Sequence, residues 1–276
     1  MIATFPSPLS ACLALLAAWL VIGAAGLAQP RSLRYAGRAL FLLGALVGVA
    51  LAVVAAWSLA GGGSGASEGG VARLVLPIGL PDLPCHLRLD ALSAGFLVLL
   101  GMTAAGVSLF SAGYFRESES RLRGEGASPG LLCLQYHVFL ASMGIVLLAD
   151  DAYSFMIAWE VMALSSYFLV TTQHRIPEIR GAGFLYLLMA HVGALSILLS
   201  FGILQGGSWQ FTFDAMRGAH LSPAWAAGAF LLALAGFGAK AGIVPLHVWF
   251  PEAHPAAPSP VSALLSGVML KTAVYG

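Results

Sequence analysis

Charge is what this sequence has least of. Asp, Glu, Lys and Arg together make up 9% of its 276 residues, where a soluble globular domain carries about a quarter. That shortage excludes an ordinary water-soluble domain. With a net charge of +1 it also excludes the basic surface that nucleic acid requires. Cysteine is scarce as well: Cys12, Cys85 and Cys133 share no metal-site or redox spacing and read as buried thiols. Neither a CxxC pattern nor a dinucleotide fingerprint occurs, so no cofactor and no redox centre are expected in this chain. The N-terminus lacks a basic stretch before its first apolar run and a clear cleavage site, so it reads as a span, not a removed signal.

What is present is hydrocarbon: 59% of the residues are hydrophobic. Apolar runs of about 20 residues are long enough to cross a bilayer as helices. They fall near 9–28, 39–60, 91–114, 131–149, 152–172, 181–204, 224–246 and 258–276. No run has the alternating polarity of a membrane β-barrel. The fold class is therefore all-α, a polytopic bundle of about eight spans. Between the second and third spans, GGGSGASEGG (61–70) has the composition of a flexible linker. The partly alternating stretch 71–90, cut by Pro77, Pro81 and Pro84, reads as short extended structure at the membrane surface.

Lys and Arg in the connections set the orientation. Arg31, Arg34, Arg38, Arg116, Arg121, Arg123, Arg175 and Arg180 fall on one side, against Arg73, Arg88 and Arg217 on the other. The N-terminus and the 61–90 loop should then be extracytoplasmic, and the 247–257 link cytoplasmic.

A few ionisable groups sit inside the apolar runs, where each is a functional-site hypothesis by default. Glu160 lies midway along AYSFMIAWEVMALSSYFLVTT. Its own helical face offers no ionic partner, so a partner must come from a neighbouring helix, or the acid is a neutral structural group. Lys240 is surrounded by Gly236, Gly238, Gly242 and Pro245, the composition of a broken helix lining a polar path. The alternative is a lysine snorkelling to the near interface. Lys271 lies thirteen residues past Pro258, about 20 Å into a helix. His191 is mid-span and His137 lies in the fourth run; a lone His there is either a core group or a relay member. His247 and His254 lie beside Glu252 in the Pro-rich link without metal-site spacing, and suggest a switchable polar cluster. The expected proton relay is thus Glu160, Lys240, Lys271, His247, His254 and His191.

The run KAGIVPLHVWFPEAHPAAPSPVSALLSGVMLKTAVYG (240–276), with Trp159–Glu160 and HLRLDALSAGF (86–96), resembles the antiporter-like proton-translocating subunits. These occur in respiratory complex I, multisubunit cation/proton antiporters and membrane-bound hydrogenases. PEAHPAAPS with SGVMLKTAVYG is similar to the formate hydrogenlyase and hydrogenase-four branch. The resemblance implies a Glu160–Lys240 pair, with Lys271 continuing a polar axis along the middle of the membrane. It implies proton movement coupled to electron transfer in partner subunits, among them other membrane subunits and a peripheral redox arm, in a bacterial inner membrane. It also implies three N-terminal spans (1–114) followed by the first of two inverted five-helix repeats (115–276), the second repeat being absent, as in a truncated chain. A Na⁺/H⁺ antiporter subunit and a structural membrane anchor are the competing readings.

Overall fold

The computed structural model describes residues 7–61, 71–80, 83–117 and 128–276. The linker residues 62–70, Pro81, Arg121 and Arg123, all invoked above, lie outside the described residues, as does the side chain of Arg116. Helix starts follow a repeated local signal: Ser-Pro, or another residue before Pro, in which Pro pre-sets the first helical φ. Thus Ser7 precedes α1 (Pro8–Ala25), Ser128 precedes α4 (Pro129–Leu148) and Ile176 precedes α6 (Pro177–Leu204). The Ser7 and Ser128 hydroxyls also accept from the free N–H groups of Ser10 and Leu131. Between these, α2 (Leu33–Leu59) contains a π-helical turn at Ala36–Leu40, and α3 covers Ala91–Glu117. Helix α5 (Ala152–Val170) starts without proline; Asp151 caps it, its carboxylate accepting from Ser154 N–H at 2.7 Å.

The second half adds short α7 (Phe213–Arg217), α8 (Pro223–Ala241, preceded by Ser222) and short α9 (Phe250–Ala256). The last helix, α10 (259–275), is interrupted by a π-helical turn at Leu265–Met269. Among the described residues, seven helices are long and apolar enough to cross a membrane: α1 to α6 and α8. The eighth expected span is helical too, as α10, which runs to the last residues of the sequence. The expected seventh span, 224–246, stops at Ala241.

Neighbouring helices pack in antiparallel pairs, α2 on α3, α4 on α5 and α6 on α8, with α1 seated on α4 and α10 touching α3 and α8. The most enclosed helix is α4, from Leu132 through Leu148. His137, inside it, is a core group: its Nδ1 lies 2.8 Å from the Cys133 carbonyl, within its own helix.

The extended stretch is an antiparallel hairpin, β1 (Ala72–Leu80) and β2 (Leu83–Leu89), in register Ala72↔Leu89 to Leu76↔Cys85. An irregularity between Leu76 and Gly79 takes up Pro77, which has no N–H to give to a ladder. The hairpin is fastened to the bundle by backbone, Asp150 N–H donating to His86 C=O at 2.8 Å, and the 205–222 connection is tied to the same turn by Ala152 N–H, which donates to Phe211 C=O at 2.9 Å. Hairpin, α4–α5 turn and the 205–222 connection therefore gather at one end, here the hairpin end. The 242–258 link lies at the other.

Candidate functional site

Lys240 is positioned by how α8 ends and by how closely it approaches α6. Gly236 and Gly193 meet where these helices cross; a Cβ on Gly236 would come within 2.6 Å of the Gly193 carbonyl. Two small residues thus let the backbones touch. Six residues later the chain leaves the helix at Gly242, which takes φ 75°, a left-handed conformation natural to glycine. There Ile243 N–H closes back on Gly238 C=O at 2.9 Å, a Schellman-type ending. The Trp249 indole then donates to the Ala239 carbonyl at 2.7 Å. The break expected around Lys240 accordingly lies just beyond it, and Gly236 serves the helix crossing.

The Lys240 side chain does not snorkel. It is 3% exposed, and its Nζ donates to the Tyr186 hydroxyl at 2.8 Å, 4.9 Å from the ring centre. Tyr186, on α6, is in turn 2.6 Å from Ser166 Oγ on α5. Ser166 donates onward to the Met162 carbonyl at 2.6 Å. Donor and acceptor counts close in one direction: ammonium to phenol oxygen, phenol O–H to serine oxygen, serine O–H to backbone. Trp249 stands edge-on to Tyr186, ring centres 5.0 Å apart, and Met269 Sδ of α10 approaches the Tyr186 hydroxyl to 3.5 Å. Three helices therefore meet in a buried polar triad, with the fourth touching it through sulfur.

Glu160 finds its cross-helix partner elsewhere. Its carboxylate lies 3.6 Å from His191 Nε2 on α6, with the two side chains 33% and 49% exposed. His191 Nδ1 is 2.9 Å from the Leu187 carbonyl. This fixes Nδ1 as the donor and leaves Nε2 to take or give a proton toward Glu160. The Glu160–Lys240 pair implied by the resemblance is not formed: no carboxylate of the described residues comes within ion-pair distance of Lys240. The reason is angular. Glu160 and Ser166 are six residues apart on α5, about 120° round the helix and about 9 Å along it. Tyr186 and His191 diverge on α6 in the same way.

The other expected members lie apart. Lys271 is on the outer face of α10, where its Nζ donates to the Ser266 carbonyl at 2.5 Å, in a π-helical turn that interrupts the ordinary ladder. Lys271 thus bonds within its own helix and does not join the triad. In the link, His254 Nδ1 is 2.8 Å from Ser262 Oγ and its ring is 4.1 Å from that of Phe250. Burial there lowers its affinity for a proton. His254 Nε2 and His247 Nδ1 are buried without a hydrogen-bond partner. Tyr186 and Ser166 were not anticipated from sequence. The available signal was a tyrosine in GFLYLLMAHV, since a buried phenol needs a partner.

The profile of a family described as NADH:quinone oxidoreductase/Mrp antiporter, TM matches residues 149–276, the part that contains Glu160, Tyr186 and Lys240. Hydrogenase-4 component B of Escherichia coli (strain K12) is 42% identical over 206 residues, 75% of this chain and 29% of that protein. NADH-quinone oxidoreductase subunit L of Mycobacterium tuberculosis is 30% identical over 202 residues, 72% of this chain and 30% of that protein. Among solved structures, a chain of the Mrp complex from Dietzia sp. DQ12-45-1b superposes with a TM-score of 0.76 at 22% identity. That alignment covers 96% of this chain and 47% of the other. The chain thus spans less than a third of the length of these two curated relatives. With its apolar spans, its buried lysine and its glutamate on the matched helices, this chain is a multi-pass membrane protein that belongs to the antiporter-like membrane-subunit family of NADH:quinone oxidoreductases and Mrp antiporters.

Proposed function

We propose that this chain carries protons within a membrane subunit of a hydrogenase or NADH dehydrogenase-type oxidoreductase complex, electrons moving in partner subunits. The observation that carries this reading is the Lys240–Tyr186–Ser166 chain in the bundle interior. Among the described residues no carboxylate pairs with Lys240, so a proton can pass between its nitrogen and the phenol without an ion pair being broken. With Lys240 as ammonium, Tyr186 accepts from it and donates to Ser166; with Lys240 as amine, the phenol O–H turns to the nitrogen lone pair. Glu160 and His191 exchange a second proton on the outward side of α5 and α6. Charge on one centre shifts the proton affinity of the other through the intervening helices.

In this reading residues 1–114 are an N-terminal scaffold and 115–276 half of an antiporter-like core. The N-terminus and hairpin are extracytoplasmic, and the subunit sits in the inner membrane beside other membrane subunits and a peripheral redox arm. Lys271 and the two link histidines extend the route at its ends. Lys240→Ala and Glu160→Gln in the assembled, reconstituted complex test it. Redox turnover with protons no longer moved is expected; undiminished pumping per electron contradicts it. Replacing sodium by choline during the same measurement leaves pumping unchanged for a proton carrier and abolishes it for a sodium exchanger.

A further inference from the structure

At the hairpin end the arginines are committed to carboxylates. Arg88 lies 3.3 Å from Asp90, 3.4 Å from Asp150 and 3.7 Å from Asp214, and Asp214 also meets Arg73 and Arg217, each at 2.6 Å. Asp151, next to Asp150 in the chain, stands outside this network. It caps α5 and is nearly sealed, its side chain 5% exposed. Oδ1 accepts from Ser154 N–H at 2.7 Å; Oδ2 accepts from the Ser154 hydroxyl at 2.7 Å and from His86 N–H at 2.8 Å. The ionisable nitrogen beside this carboxylate belongs to the same histidine. His86 Nδ1 lies 3.7 Å from Asp151 Oδ2, buried and without a hydrogen-bond partner, while the side chain as a whole is 31% exposed. The His86 carbonyl meanwhile accepts from Asp150 N–H. Backbone and ring of one hairpin residue thus converge on the start of α5, and the ring contact is the one left unmade.

The surroundings leave the ring to that carboxylate. Along β2 its titratable neighbours are Cys85, beside Ser154, and Arg88, already held by three carboxylates. Across the ladder it faces Val75, with Arg73, also paired, further along β1. From the α4–α5 turn come Asp150 and Asp151, and from α5 Tyr153 and Ser154. Helix α1 and the adjoining end of α4, which also touch the hairpin, bring no charged side chain. Histidine changes charge between about pH 5 and 8, and the charged ring donates from both nitrogens. We propose that His86 is a proton-sensing positioning residue: charged from the hairpin face of the membrane, it bonds Asp151 and latches the start of α5 to the hairpin. The bond is charge-assisted. It is complete at acid pH and is lost as pH rises through the range of histidine. Helix α5 carries Ser166 and Glu160, so proton movement past them slows as the hairpin face fills with protons. That consequence rests on the proton-carrying reading above; the latch itself does not.

Hydrogen exchange of the amides in 83–89 and 150–154 is followed by mass spectrometry on the assembled complex in detergent. It is measured at about pH 8 and about pH 5.5, which bracket most of the range of histidine, and corrected for intrinsic rates. Protection is expected to rise several-fold toward acid in the native chain. It should stay flat in His86→Gln, which keeps the backbone bonds, and in Asp151→Asn, which keeps a cap. His86→Arg should be protected at both values. Protection that does not change in the native chain, or changes equally in His86→Gln, overturns the latch. Proton flux in the reconstituted complex is then compared between native and His86→Gln chains with the hairpin-side pH set to each value. Equal flux at the alkaline value and several-fold faster flux in His86→Gln at the acid value are expected. Equal flux at both overturns control through α5. Pumping that persists undiminished in Lys240→Ala contradicts the proton-carrying reading alone and leaves the exchange result standing.

Discussion

Two ionisable centres both touch α5 and α6 yet live in opposite surroundings. Lys240 is sealed among Tyr186, Ser166 and Trp249, every polar atom of the Lys–Tyr–Ser chain partnered. Glu160 and His191 are paired only loosely, at 3.6 Å, and remain substantially exposed on the bundle's outer side. A carboxylate facing hydrocarbon is expensive, so the second centre calls for water or a partner subunit, and the first does not. One sequence thus builds a closed store for a proton and an open contact for one, about two helical turns apart.

The largest way to break this contrast is Lys240→Ala. Removing the only buried cation of the triad should lower proton translocation about 100-fold or more, with assembly of the complex followed by native gel to exclude loss of the subunit. Glu160→Gln should follow, at about tenfold or more by the same reasoning; because the pair is open, His191→Gln should cost less than Glu160→Gln. Tyr186→Phe keeps the ring packed against Trp249 and deletes only the hydroxyl. A lost buried hydrogen bond of about 1–3 kcal/mol implies a fall of roughly tenfold in proton flux, and Ser166→Ala should fall less because Tyr186 retains Met269 as a weak acceptor.

The smallest effect concerns neither centre, and serves as a control on the hairpin end. Asp150 has a folded-state proton affinity raised mainly by burial. A raised folded value means the folded state holds the proton more tightly than the unfolded chain. The stabilisation is fully present below the ordinary carboxylate range and is lost as pH rises through the folded value. Asp150→Asn should flatten the dependence of melting temperature on pH in that window by about 1–3 °C in detergent.

Much of the fold could be read from the residues because membrane spans advertise themselves by length and polarity. The Ser-Pro starts at 7–8, 128–129 and 222–223 and the glycine-and-proline ending after Lys240 are local signals of the same kind. Glu160 and Lys240 stood out because charge in hydrocarbon needs a reason. Which groups they touch was not legible. That depends on helix rotation: the crossing of Gly193 and Gly236 brings Tyr186 to Lys240, and the 120° offset on α5 sends Glu160 to His191 instead. Lys271 shows the same limit, since depth along α10 said nothing of which side the amine leaves, and a π-helical turn decides it.

The sharpest test is a double-mutant cycle on proton flux in reconstituted vesicles, combining Lys240→Ala with Tyr186→Phe. If protons reach and leave the lysine through the phenol, the double variant should be no worse than Lys240→Ala alone. If the two losses multiply, Tyr186 acts on some other step and the triad is not the path.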